Sequence, residues 1–131
     1  MAPAALATIR SHFEDFNVSA DDYDLIITGD LGQVGKEVLL SLALREGICI
    51  GGKLADCGCL VFDNLKQDVH AGGSGCGCSA ITLCGDLLNK LRSGKLKKIL
   101  FCGTGALLSP TSTQQNLPIP GVCHAVAISG G

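Results

Sequence analysis

The spacing of apolar residues changes period along the chain, and each change marks an element. Over residues 4–16, Leu6, Ile9, Phe13 and Phe16 fall on one stripe at helical spacing with alanine between them, which predicts a first helix. Residues 17–22, with Asn17, Ser19, Asp21 and Asp22, break it. Residues 24–28 hold a wholly apolar run, Leu25, Ile26 and Ile27, between turn formers, the pattern of a buried parallel strand. Gly29 to Gly32 then reads as a strand-to-helix loop. Val34, Val38, Leu39 and Leu42 predict a second helix over 34–45, with Gly47 as its stop.

Residues 48–63 mix short apolar pieces with glycine, and Leu60, Val61 and Phe62 read as either a strand or part of a flap. Residues 79–91 return to helical spacing through Ile81, Leu83, Cys84, Leu87, Leu88 and Leu91, ending near Ser93 and Gly94. Residues 98–102 predict a strand, Gly103 to Gly105 its turn, and 122–128 the last strand. Between them 109–121 is polar and carries Pro110, Pro118 and Pro120, which predicts a long surface loop of the kind that serves as a lid or binding loop. Alternating strands and helices argue for an α/β layer with a mostly parallel sheet, its last two strands forming an antiparallel pair. Three clear strands are few for a sheet that must seat helices on both faces.

Candidate chemistry centres on the stretch from Gln67 to Ala80. It sets His70 just before Gly72, Gly73, Gly75 and Gly77, at the mouth of the apolar helix. Such a turn can gather backbone N–H groups and the positive end of a helix on a small anion, with no side chain blocking the approach. The plainer alternative is a glycine-rich loop that only turns a corner. Ser74 would add a hydroxyl donor. His12 and His124 have no supporting constellation and read as packing or surface residues.

Composition narrows the classes. At 131 residues the chain is one domain by length, and 47% hydrophobic against 17% charged residues is rich for its size. Yet no apolar run reaches the ~18 residues that span a bilayer. A net charge of −2 gives no footprint for nucleic acid, and the local run Lys90, Arg92, Lys95, Lys97, Lys98 reads as a solvated helix end. The eight cysteines follow no secretory leader, so reduced thiols are expected. Cys57/Cys59 and Cys76/Cys78 are spaced more closely than suits tetrahedral zinc, and neither a metal nor another cofactor is expected. Cys49, Cys84 and Cys123 sit in apolar runs and read as small core residues.

Three blocks, Tyr23 to Gly35, Gln67 to Ala80 and Gly103 to Ser112, together resemble the C-terminal part of the stage V sporulation protein AD family, and the resemblance covers essentially the whole chain. It implies a layered thiolase-like half-domain over residues 1–131, with a mixed, mostly parallel sheet that is incomplete because the chain is a fragment of a longer two-half protein. It also implies a sporulation role: binding dipicolinic acid for uptake into the developing spore, alongside other stage V transport proteins. The location implied is peripheral to the forespore inner membrane, as a homodimer or paired with the missing N-terminal half.

Within the wider superfamily, His70, Gly73, Ser74 and Gly75 resemble the thiolase glycine-histidine-proline stretch, with Ala71 in place of proline and one residue fewer before the serine. Cys102 resembles the second thiolase cysteine, beside its plainer reading as a buried thiol. Where ketoacyl synthases place a histidine, this chain has Asp30, and a carboxylate does not replace a neutral imidazole as donor to an oxyanion. Asp30 is expected to cap the helix that follows, with orienting a donor or ligating a cation as its other roles. The ligand site implied is His70, Gly72, Gly73, Ser74, Gly75 and Asp30, acting without catalysis. The competing reading is a thiolase-like or ketoacyl-synthase-like acyltransferase using His70, Cys102 and a cysteine from another half.

Overall fold

A computed structural model describes residues 1–63 and 65–131. Helix α1 (Ala2–Phe16) leads to strand β1 (Leu25–Thr28), helix α2 (Gly32–Arg45), strand β2 (Leu54–Asp56) and a single turn, α3 (Cys57–Leu60). A second helix-rich stretch follows: α4 (Cys78–Thr82), a π turn (Leu83–Leu87) and α5 (Leu88–Arg92) run on as one rod. Strand β3 (Lys98–Ala106), helix α6 (Pro110–Gln114) and strand β4 (Gly121–Ser129) complete the chain. The sheet order is β2-β1-β3-β4, parallel except for the last pair. This is the mixed, mostly parallel α/β layer the apolar pattern predicts.

The alternation of β1 decides the layering. Ile26 faces the core formed with α1 and α2, where Leu6, Ile9, Leu39, Ala43, Leu100 and Cys102 are buried. Ile27 faces the opposite side, against Cys57, Leu87, Leu91 and Ile99. A strand buried on both faces reads as a continuous apolar run for this reason. Helices therefore cover both sides of four strands.

Several expectations are corrected. The fourth strand is β2, which pairs Ile26 with Leu54 and Thr28 with Asp56, while residues 60–62 form no strand. Three residues are too few to show a period. Gly103 to Gly105 is no turn: it continues β3 opposite His124, Cys123 and Val122. The proline-rich loop contains α6, begun by Ser109, whose side chain accepts from the Ser112 amide. Phe16 ends the α1 stripe 68% exposed, and Val34 and Val38 are also exposed, so the buried line of α2 runs through Gly32, Leu39 and Ala43 instead.

Parallel strands are joined at their lower ends by Asp24, whose carboxylate accepts from the amides of Lys98 and Lys97 at 3.0 and 2.5 Å. Those two bonds hold its pKa below the ordinary 3.8. A depressed carboxylate contributes stability that is complete above the unfolded value and is lost as pH falls through the folded one. Asp24→Asn is therefore expected to shrink the difference between urea midpoints measured at neutral pH and below pH 3.8. An unchanged acid loss would remove Asp24 as its source.

Candidate functional site

Loops leaving parallel strands cluster at one end of the sheet, which is where such folds place ligands. Here that end is organised by a carboxylate the apolar pattern does not reveal. Asp56, fully buried at the end of β2, accepts from Thr28 Oγ1 at 2.6 Å, from the Leu31 amide at 2.9 Å and from the Gly32 amide at 2.9 Å. It thus supplies from a neighbouring strand the cap that α2 lacks at its own N-cap residue, since Leu31 makes no side-chain bond there. The expectation that Asp30 caps this helix is corrected: the adjacent carboxylate already occupies the first amides.

Asp30 instead ties three segments together. Its Oδ2 accepts from Ser74 Oγ at 3.0 Å and from the Gly75 amide at 3.2 Å, and its Oδ1 from Thr104 Oγ1 at 3.3 Å. The Asp30 amide donates back to Thr104 Oγ1 at 3.1 Å. Gly29 permits this approach, because a Cβ there would lie 2.8 Å from Thr104 Oγ1. Beside these residues lies a cleft of ≈ 560 Å³, within the range of small-molecule sites, lined by Asp30, Ser74, Gly75, Ser79, Thr104 and Leu108. A neighbouring apolar hollow of ≈ 320 Å³ runs between Val61, Phe62, Cys78 and Ile81.

The glycine segment is packed before it is a cradle. The Gly73 amide donates to Gly58 O at 2.7 Å and the Gly72 amide to Val69 O at 2.9 Å, while Ala71 O accepts from the Gln33 amide at 2.7 Å. A Cβ on Gly58 would strike Gly73 O, and one on Gly72 would strike Gly58 O. These glycines let two backbones touch. Among the described residues the amides of Ser74, Cys76 and Gly77 make no hydrogen bond to the chain, and they lie at the start of α4.

Of the six residues singled out by sequence, the structure brings Asp30, Ser74 and Gly75 into the cleft. Gly73 lines the neighbouring hollow, and Gly72 lies against Gly58. His70 stands apart from both, in the left-handed region at φ 49, its side chain 90% exposed and its Nδ1 3.5 Å from Asp68. Sequence reasoning missed Asp56, Thr28 and Thr104. The signal available for Thr104 was its place between two glycines after an apolar strand.

The cysteines divide by burial. All eight are free; Cys102 is fully buried, and Cys57 is buried with its thiol pushed up to about 12, first by burial and then by the neighbouring Asp56 charge. Among the described residues no three His, Cys, Asp or Glu side chains converge as metal ligands. Nor is any helix long and apolar enough to cross a membrane.

The profile of the stage V sporulation protein AD family matches residues 1–129. A curated relative, the stage V sporulation protein AD of Bacillus subtilis (strain 168), is 48% identical over 126 residues, which is 96% of this chain and 37% of the relative. The chain thus spans a little over a third of that relative's length.

Proposed function

This chain belongs to the stage V sporulation protein AD family, and from that premise we propose that it is a non-catalytic, thiolase-like module that binds dipicolinic acid for uptake into the developing spore. The observation that carries the reading is the cleft between Asp30, Ser74, Gly75 and Thr104, bordered by Ser74 and Cys76, whose amides make no bond to the chain among the described residues. A flat ring with two carboxylates suits it: one carboxylate takes the amides at the start of the helix, and the ring lies along the wall formed by Leu108.

The same geometry supports binding without transformation. Acyl transfer needs a nucleophile within reach of a base and a prepared oxyanion site. Here the Cys102 thiol is buried, with its pKa raised by the neighbouring Cys123 and by burial, and the His70 imidazole lies outside the cleft. Around this module the proposal keeps the other stage V transport proteins, a peripheral membrane location and pairing with the remaining portion of a longer protein. The exposed Ile81, Leu107 and Leu108 are the apolar surface such pairing would cover.

Asp30 sets the charge condition. A dianion entering beside this carboxylate is repelled by about 1 kcal/mol in a solvated cleft, unless a cation or a proton travels with it. Calorimetric titration of dipicolinate into the chain, with and without a divalent cation, tests the reading. Asp30→Asn keeps an acceptor for Ser74 and Gly75, and is expected to tighten binding of the free dianion about fivefold. Loss of binding only in the presence of the cation would identify Asp30 as its ligand. No saturable heat from either protein in any condition would reject the assignment.

A further inference from the structure

Two buried thiols on neighbouring strands lie outside this reading. In the β3–β4 ladder Cys102 opposes Ala125, and Thr104 opposes Cys123. Directly opposed residues share a face, so Cys102 and Cys123 are diagonal neighbours on the face that α1 covers. Cys102 is 0% and Cys123 7% exposed.

The two differ in access. Cys123 lies on the floor of a surface groove of ≈ 420 Å³ between α1 and β4, with Thr8, Ser11, His12 and His124 among its walls. Cys102 lines none of the hollows described above and sits behind it. The neighbouring Cys102 thiol lowers the Cys123 pKa from its ordinary value, whereas Cys123 and burial raise that of Cys102. The Thr8 hydroxyl donates to the Cys123 carbonyl at 2.9 Å and ties α1 to β4 at this point. A thiol that borders a groove, with a second thiol behind it, is the arrangement of an attacking and a resolving cysteine.

We propose that Cys102 and Cys123 are a reversible redox pair that closes a cross-strand disulfide when a small peroxide enters the groove between α1 and β4. The Cys123 thiolate attacks one oxygen of hydrogen peroxide; the O–O bond breaks, hydroxide leaves, and Cys123 becomes a sulfenic acid. The Cys102 sulfur, giving up its proton, then attacks the Cys123 sulfur; the S–S bond forms and the S–O bond breaks, releasing hydroxide. The two hydroxides take up the two thiol protons. Two thiols and one peroxide thus yield one disulfide and two waters, and the two electrons lost by sulfur are gained by the peroxide.

Reversibility follows from the register. Diagonal neighbours in a sheet stand about 7–8 Å apart at Cα, whereas a relaxed disulfide wants about 5.5–6 Å. Closing the bond therefore drags β3 against β4, and a bond formed under such strain is easily reduced. Thr104 sits opposite Cys123, and its hydroxyl holds Asp30. Oxidation accordingly pulls on one wall of the cleft. This last consequence rests on the binding role proposed for that cleft; the disulfide itself does not.

The test reads covalent state rather than ligand affinity, so it can fail or succeed independently of dipicolinate. The native chain is exposed to graded hydrogen peroxide, unfolded in N-ethylmaleimide, digested and mapped by mass. The expected result is a species two hydrogens lighter in which the Cys102 and Cys123 peptides are joined and lose alkylation in equal proportion, restored by dithiothreitol. With Cys102→Ser, Cys123 should stop at a sulfenic acid that dimedone traps. The exposed Cys49, Cys76 and Cys84 report in the same sample that oxidant was present. If those three oxidise while Cys102 and Cys123 stay fully alkylatable, or if Cys123 passes to the sulfinic acid with Cys102 still free, the proposal is overturned.

Discussion

Replacing Asp56 with alanine is expected to lower the free energy of unfolding by about 4 kcal/mol, the combined loss of charge-assisted bonds and the cost of leaving buried donors unpaired. The estimate follows from what the carboxylate holds: the Thr28 hydroxyl and the amides of Leu31 and Gly32, two of them from fully buried residues or buried atoms at the junction of β1, β2 and α2. Asp56 and Thr28 are fully buried, so bulk solvent does not reach these donors. Asp56→Asn is the informative companion. It keeps one acceptor oxygen but turns an NH2 toward groups that are themselves donors, so it should recover only part of the loss. Asp30→Ala, by contrast, removes bonds at the rim of an open cleft where solvent can substitute, and should cost about 1 kcal/mol. Urea unfolding of the three variants decides the matter. Equal losses at Asp56 and Asp30 would mean that the cap across the strands does not organise this end of the sheet.

How far these roles can be read from sequence depends on whether a residue's partner is local. The α1 stripe of Leu6 and Ile9, and the continuous run of β1, are legible because their burial follows the period of a single element. The antiparallel pairing of β3 and β4 is legible because the polar, proline-rich stretch between them is too short in apolar residues for a packed crossover helix; it holds only the single-turn α6. Strand β2 is not: its three residues owe their place to pairing with β1 rather than to any pattern of their own. Nor can sequence distinguish Asp30 from Asp56. Each follows a short apolar strand, and only the fold shows that one is buried as a cap while the other faces the cleft.

The glycine stretch shows the same limit from the other side. Its glycines announce that side chains are forbidden, but not whether a ligand or the chain itself comes close. The structure divides them. Gly72, at φ +113, faces the backbone of Gly58, whereas Gly75, at φ +114, faces open space. His70, adjacent to this stretch, is read from sequence as the core of the site because histidine before glycine carries chemistry in related folds; its exposure is fixed instead by the Ala71 carbonyl, which is anchored to the start of α2.

That division predicts a graded series. Gly72→Ala combines an unfavourable backbone angle with a collision against main chain that has no rotamer to yield, and should destabilise by about 3 kcal/mol or more. Gly75→Ala meets only the backbone term, about 1–2 kcal/mol. Gly77 has an ordinary φ of −94, and an added Cβ would find only Ile81 Cδ1 at 3.8 Å. Gly77→Ala should therefore change stability by no more than about 0.5 kcal/mol, with restriction of the unfolded chain acting in its favour. Dipicolinate affinity should follow a different order, because the free amides bordering the cleft lie at Ser74 and Cys76, on the far side of the packed joint. Gly75→Ala, whose added methyl would stand in the open space beside the cleft, would then narrow the approach to those amides and weaken binding beyond its modest cost in stability, whereas Gly77→Ala, in the neighbouring hollow, should leave binding unchanged. If Gly72→Ala proves as mild as Gly77→Ala, the backbones of residues 58 and 72 do not touch, and the turn is free to serve as a cradle along its whole length.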